Sequence, residues 1–191
     1  MLQTRSSRLL VVALALAAVA CDGIGTKAVY TNIARSYDLF ALSGAPVSAP
    51  TAISFLGGST IADASFNFDV AFDIDNAGTV KLYPVRSLAG GLVGTQKRIG
   101  LQLVSGSFEQ LREAPASGYD TLNVKTVTAG SVVAVEIQDI NTCLYSLNGT
   151  NLYAKLVVDS VHTSERRVFG RTVSDANCGF REVMPDTIPQ H

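Results

Sequence analysis

Tryptophan is absent from this chain, and histidine occurs only at positions 162 and 191. A Ser-His-Asp triad would have to rest on His162, and no G-x-S-x-G elbow supplies a nucleophile. A zinc site built on imidazoles is equally short of ligands. Carbohydrate clefts are commonly walled with aromatics, and without tryptophan the phenylalanines here are needed for a core. A carboxylate pair of the glycosidase kind stays open, because such pairs are assembled by the fold and not by local spacing. Charge is scarce too: 16% of residues are charged, against about 25% in ordinary soluble domains. No basic stripe occurs, which excludes a nucleic-acid partner. Cysteine appears three times and never as C-x-x-C.

Long apolar runs are missing everywhere except at the start. Arg5 and Arg8 precede an apolar stretch from Leu9 to Val19, and Ala18-Val19-Ala20 places small residues before Cys21. That order of positive, apolar and small residues is an export signal. Its apolar run falls short of the ~20 residues a spanning helix needs. Ala18-Val19-Ala20-Cys21 resembles the lipobox of bacterial lipoproteins, although Ala18 stands where leucine is commoner. The resemblance implies that Cys21 is acylated and becomes the first mature residue. An ordinary secretory cleavage before Cys21, or an uncleaved anchor, would use the same residues. Cysteine arithmetic favours acylation, since it removes the odd thiol and leaves Cys143 and Cys178 as a pair.

The expected organisation is a signal peptide over 1–20, a lipidated cysteine and tether over 21–26, and one domain over 27–191. Arg5 and Arg8 are the only charges among the first twenty residues, so the remainder carries a net −3. Tyr37–Leu42 and Thr51–Leu56 read as short strands separated by Pro46 and Pro50. Phe66, Phe68, Val70, Phe72 and Ile74 alternate with Asn67, Asp69, Ala71, Asp73 and Asp75. This period of two predicts a strand with one face on a core and one in water. A turn at Asp75–Gly78 leads to a partner strand, Thr79–Leu88, weakened beyond Pro84.

Ile99–Val104 and Ser131–Gln138 are further strands, and Ser107-Phe108-Glu109-Gln110 has the form of a capping box over one or two helical turns. Asn148-Gly149 between Cys143–Leu147 and Thr150–Asp159 is a strong hairpin signal. His162 falls in an expected loop, Ser160–Ser164, before a last strand at Arg167–Val173. The fold class is all-β: a β-sandwich or small barrel of about eight antiparallel strands with one short helix, behind the N-terminal signal or anchor.

Cys143 and Cys178 are expected to form a structural disulfide, since each lies just outside a strand in an exported chain. Asp69, Asp73 and Asp75 offer a weak calcium alternative, but Ala77 and Pro84 occupy positions where an EF-hand-type loop carries ligands. Solvated carboxylates on a strand face account for the same residues. Arg166, Arg167, Arg171 and Arg181 gather positive charge near the C-terminal hairpin, opposite in sign to the Asp69–Asp75 strand. No metal, cofactor or catalytic residue is expected. The function that follows is a non-enzymatic lipoprotein of the cell envelope, on the periplasmic or extracellular face. It would be anchored to membrane lipid through Cys21 and docked as an accessory subunit on a larger membrane protein complex. An envelope ligand- or glycan-binding module, and a hydrolase with an unlocated carboxylate pair, are the alternatives.

Overall fold

The computed structural model describes residues 26–89, 97–139 and 141–190. The export signal, Cys21 and most of the tether lie outside the described residues. Ten strands and one helix follow in chain order. They are β1 (Ile33–Phe40), β2 (Ala52–Ser54), β3 (Gly58–Thr60), β4 (Val70–Ile74) and β5 (Val80–Pro84), then α1 (Val85–Ala89). After these come β6 (Lys97–Val104), β7 (Lys125–Val127), β8 (Val132–Asp139), β9 (Asn151–His162) and β10 (Arg167–Ser174). They form two five-stranded sheets, ordered β1-β10-β9-β8-β6 and β3-β2-β4-β5-β7. Every pairing is antiparallel. The architecture is a sandwich and not a barrel, with ten strands among the described residues where about eight were expected.

Inward residues of both sheets meet in one core. Leu39, Phe72, Leu82, Leu101, Val135 and Leu156 are all fully buried there. Strand β9 is unusual in being buried on both faces from Leu152 to Val158. Its even positions face the core, while Tyr153, Lys155 and Val157 face an irregular layer laid over the sheet. That layer joins the segment after β6 to the C-terminal segment, through Ala114 N–H donating to Arg181 O and Val183 N–H to Arg112 O. Phe108 packs on Val132, Val157 and Val173, and Val183 packs on Ala114 and Tyr153.

Several local expectations are corrected. The alternation from Phe66 to Asp75 yields a strand only at Val70–Ile74, because Phe66 takes a positive φ of 53° and closes a turn onto Asp63 O. Its polar face is not solvated at Asp69, which is 2% exposed. Cys143–Leu147 forms no strand, and Asn148-Gly149 makes no hairpin. Strand β9 already has β8 and β10 on its two sides, so no edge remains for another partner. The true hairpin is β9–β10, turning at Thr163–Arg166, and His162 is therefore the last residue of β9 and not part of a loop.

The capping box forms reciprocally: Gln110 N–H donates to Ser107 Oγ at 3.3 Å, and Ser107 N–H donates to Gln110 Oε1 at 2.9 Å. It caps a single turn, not a helix. Among the described residues the one helix lies instead at Val85–Ala89, where the far half of a strand was expected. Pro84 ends β5 there, having no N–H with which to continue a ladder.

Candidate functional site

The first described residues, Thr26 to Tyr30, the expected disulfide and an exposed apolar loop converge on one end of the sandwich. Strands β8 and β10 finish at that end while β9 and β1 begin there, as the pairs Gln138↔Asn151, Ser174↔Ala154 and Ile33↔Ser174 require. Cys143 and Cys178 are bonded across the start of β9, with their Cα atoms 5.7 Å apart. The bond ties the loop after β8 to the loop after β10. A structural disulfide of this kind belongs to an oxidising, extracytoplasmic compartment.

Two buried polar residues next to the disulfide fasten the N-terminal segment. Asn177 Oδ1 accepts from Val29 N–H at 2.8 Å and Tyr30 N–H at 2.9 Å, while its Nδ2 donates to Tyr30 O at 2.8 Å. Asp175 Oδ1 in turn accepts from Asn177 N–H and Nδ2, both at 2.7 Å. Burial pushes the Asp175 carboxyl up to about 6, opposed by the Asn177 bonds and reinforced by the charge of Glu182. Further along, Asn148 Nδ2 donates to Thr26 O at 2.6 Å. Asn148 and Gly149 press against Gly179, whose φ is +85° and where an added Cβ would lie 2.3 Å from Asn148 O. Only glycine fits that approach, so the loop is held against the disulfide by backbone contact.

Between Cys143 and Asn148 the loop presents Leu144, Tyr145 and Leu147 to solvent, exposed by 53%, 93% and 69%. Val29 and Tyr30 are exposed as well. A groove of about 570 Å³ runs between Leu147, Asn148, Phe180, Gln190 and the segment Thr26–Ala28. No charged residue occurs between Asp139 and Lys155. The sequence pattern marked Cys143 and Cys178, but the exposed loop after Cys143 was expected to be a strand. The signal available was that uncharged stretch beside a cysteine.

The other candidates are dispersed. Asp69, Asp73 and Asp75 do not converge: among the described residues no group of three His, Cys, Asp or Glu is placed to share an ion. Asp69 pairs with Lys97 and accepts from Phe55 N–H at 2.6 Å. Asp73 pairs with Arg166 at 3.0 Å, and Asp75 with Lys81 at 3.4 Å. Asp75 also accepts from Ala77 and Thr79 N–H, and these bonds hold its carboxyl below the usual range, the Thr79 bond most strongly. The two regions of opposite charge are thus in contact through Arg166 and Asp73. The other three arginines of that group are paired as well: Arg167 with Asp38, Arg171 with Asp159 and Glu109, and Arg181 with Glu113. His162 is exposed and stacks near Phe169, ring centres 4.8 Å apart.

Lys155 is a residue that sequence reasoning passed over. It is fully buried, and its ammonium donates to Phe108 O at 2.7 Å and Leu111 O at 2.8 Å while lying over the Phe108 ring. Burial lowers it to about 8, with Glu109 acting in the opposite sense. Its carbonyl partners belong to the capping-box turn, so it closes the C-terminal side of that turn. No helix of the described residues is long and apolar enough to cross a membrane. Comparisons with known protein families, curated proteins and solved structures find no match to this chain.

Proposed function

We propose that this chain is a membrane-tethered, non-catalytic lipoprotein, acylated at Cys21, that serves as an accessory subunit on the extracytoplasmic face of a larger membrane protein complex. The observation that carries the reading is the meeting of the N-terminal segment with the disulfide end, through Thr26–Asn148 and Val29/Tyr30–Asn177. A lipid on Cys21 would therefore hold one end of the sandwich toward the bilayer and leave its long sides free for a neighbour. Tethering raises the effective concentration of the domain toward partners in the same membrane. Carboxylates paired one by one with cations suit a scaffold better than a reactive centre.

The test is extraction of native membranes with mild detergent, followed by intact-mass measurement and identification of whatever travels with the protein. The expected result is a mature chain beginning at an acylated Cys21, co-migrating with a defined membrane assembly. A mature chain with an unmodified Cys21, or an acylated monomer without companions, would overturn the reading.

A further inference from the structure

We infer that the loop Leu144-Tyr145-Ser146-Leu147 is a second membrane contact, seated in the interfacial region of the bilayer that holds the lipid on Cys21. The inference rests on the lipoprotein reading, and it adds a site on the folded domain that the lipid anchor alone does not require.

Three observations favour lipid over water as the neighbour of this loop. The first is chemistry. Leu144, Tyr145 and Leu147 are exposed by half or more, and the chain carries no charge from residue 140 to residue 154. Leucine with tyrosine and no charge is the composition favoured where apolar side chains enter the headgroup boundary and a phenol stays at its polar edge. The second is position. Asn148, the residue after Leu147, is bonded to Thr26, and Cys21 lies five residues before Thr26. Five residues reach at most about 18 Å when fully extended. A lipid on Cys21 therefore keeps Thr26 within that distance of the acylated residue, with Asn148 one side-chain hydrogen bond further and the loop next to it. The third is rigidity. Cys143 is bonded to Cys178, and Gly149 is pressed on Gly179, so both flanks of the loop are fixed to the body. A loop held out in this way has little conformational freedom left to lose on contact.

Three apolar side chains would bind a bilayer weakly by themselves, just as a single acyl chain does, and stable attachment takes more than one element. With the tether in place, the loop's contribution is orientation: two points of contact fix which side of the sandwich faces sideways along the membrane. Lys27 lines the groove next to the loop and supplies an ammonium that an anionic headgroup could meet.

The absence of tryptophan makes the experiment direct. The Tyr145→Trp full-length lipoprotein is reconstituted into vesicles of phosphatidylethanolamine and phosphatidylglycerol, with and without brominated acyl chains. Leu144→Trp serves as a second probe in the loop. Ser164→Trp, in the β9–β10 turn at the opposite end of a twelve-residue strand, serves as the remote control. Blue-shifted emission from both loop probes, quenched by brominated lipid while the Ser164→Trp variant is unaffected, supports the inference. Unshifted, unquenched emission from the loop probes in a chain whose mass shows acylation overturns it and leaves the tether standing. Emission that is blue-shifted in native membranes yet unquenched in the vesicles also overturns it, in favour of a protein covering the loop. An unacylated chain that fails to bind the vesicles overturns both this inference and the lipoprotein reading.

Discussion

Lys155, under the irregular outer layer, and Asp175, beside the disulfide, show how much of the energetics rests on single buried polar side chains. A fully buried ammonium is costly to desolvate, but Lys155 also supplies the donor for two main-chain carbonyls. Depriving a buried acceptor of its partner costs about 1–3 kcal/mol. Lys155→Met should therefore lower stability by about 2 kcal/mol in urea titration, even though it removes a buried charge. A neutral or stabilising result would mean that desolvation outweighs the lost bonds. Asp175 acts through pH. Its carboxyl is raised from 3.8 to about 6 by burial, so the folded state holds its proton more tightly than the unfolded chain does. The stability contributed by that proton is complete below about pH 4 and is lost as pH rises through about 6. Each pH unit of difference corresponds to about 1.4 kcal/mol. Relative to Asp175→Asn, which keeps an oxygen for Asn177 and cannot ionise, the parent protein should lose about 2–3 kcal/mol between those limits. Chemical denaturation of both proteins across that range checks the claim, and parallel curves would refute it.

Among the elements, the β9–β10 hairpin shows the tightest coupling of sequence to geometry. The register shifts between Phe169 and Gly170, so Asp159 on β9 stands opposite no residue of β10 and reaches Arg171 with both carboxylate oxygens. At the same place the Tyr37 hydroxyl crosses β10 to donate to Val157 O at 2.7 Å. That crossing is possible only over a residue without a side chain. An added Cβ on Gly170 would sit 2.1 Å from Val157 O and 2.3 Å from Tyr37 Oη. Gly170→Ala should destabilise the domain by about 3 kcal/mol, because the obstructing atoms are backbone and a buried ring. Tyr37→Phe, which removes only the hydrogen bond, should cost about 1 kcal/mol. Equal losses in thermal denaturation would show that the bond, and not the close approach, is what matters.

Across the whole molecule, two stacked five-stranded sheets form the body and a disulfide closes one end. The Cys143–Cys178 bond encloses all of β9 and β10, with a sequence separation of 35. Closing a loop of that length restricts the unfolded chain by about 3–4 kcal/mol on the chain-entropy account. For a domain of this size that corresponds to about 10 °C in melting temperature. The double change Cys143→Ser and Cys178→Ser should lower the melting temperature by that amount while the far-ultraviolet spectrum at room temperature stays native. Reaction of both thiols with an alkylating reagent in the folded, unreduced protein would contradict the pairing.

What could be read along the chain was whatever depends on near neighbours. The alternation through Val70–Ile74, the valine-rich start of Val132–Asp139 and the reciprocal bonds of Ser107 and Gln110 are local, and each was legible. So was the pairing of Cys143 with Cys178, because exclusion of Cys21 leaves no other choice. Local signals failed where a distant strand had already taken the place. Asn148-Gly149 has ideal turn chemistry, but β8 and β10 occupy both edges of β9, so the residues before it become an exposed loop. Asp69 reads as a solvated carboxylate and is buried because Lys97 and Phe55 N–H reach it from other parts of the chain. Lys155 sits in a strand of ordinary appearance, and only the layer folded over that strand turns it into a buried donor. Pattern and spacing act over a few residues, whereas burial and partnership are set by which surfaces the folded chain brings together.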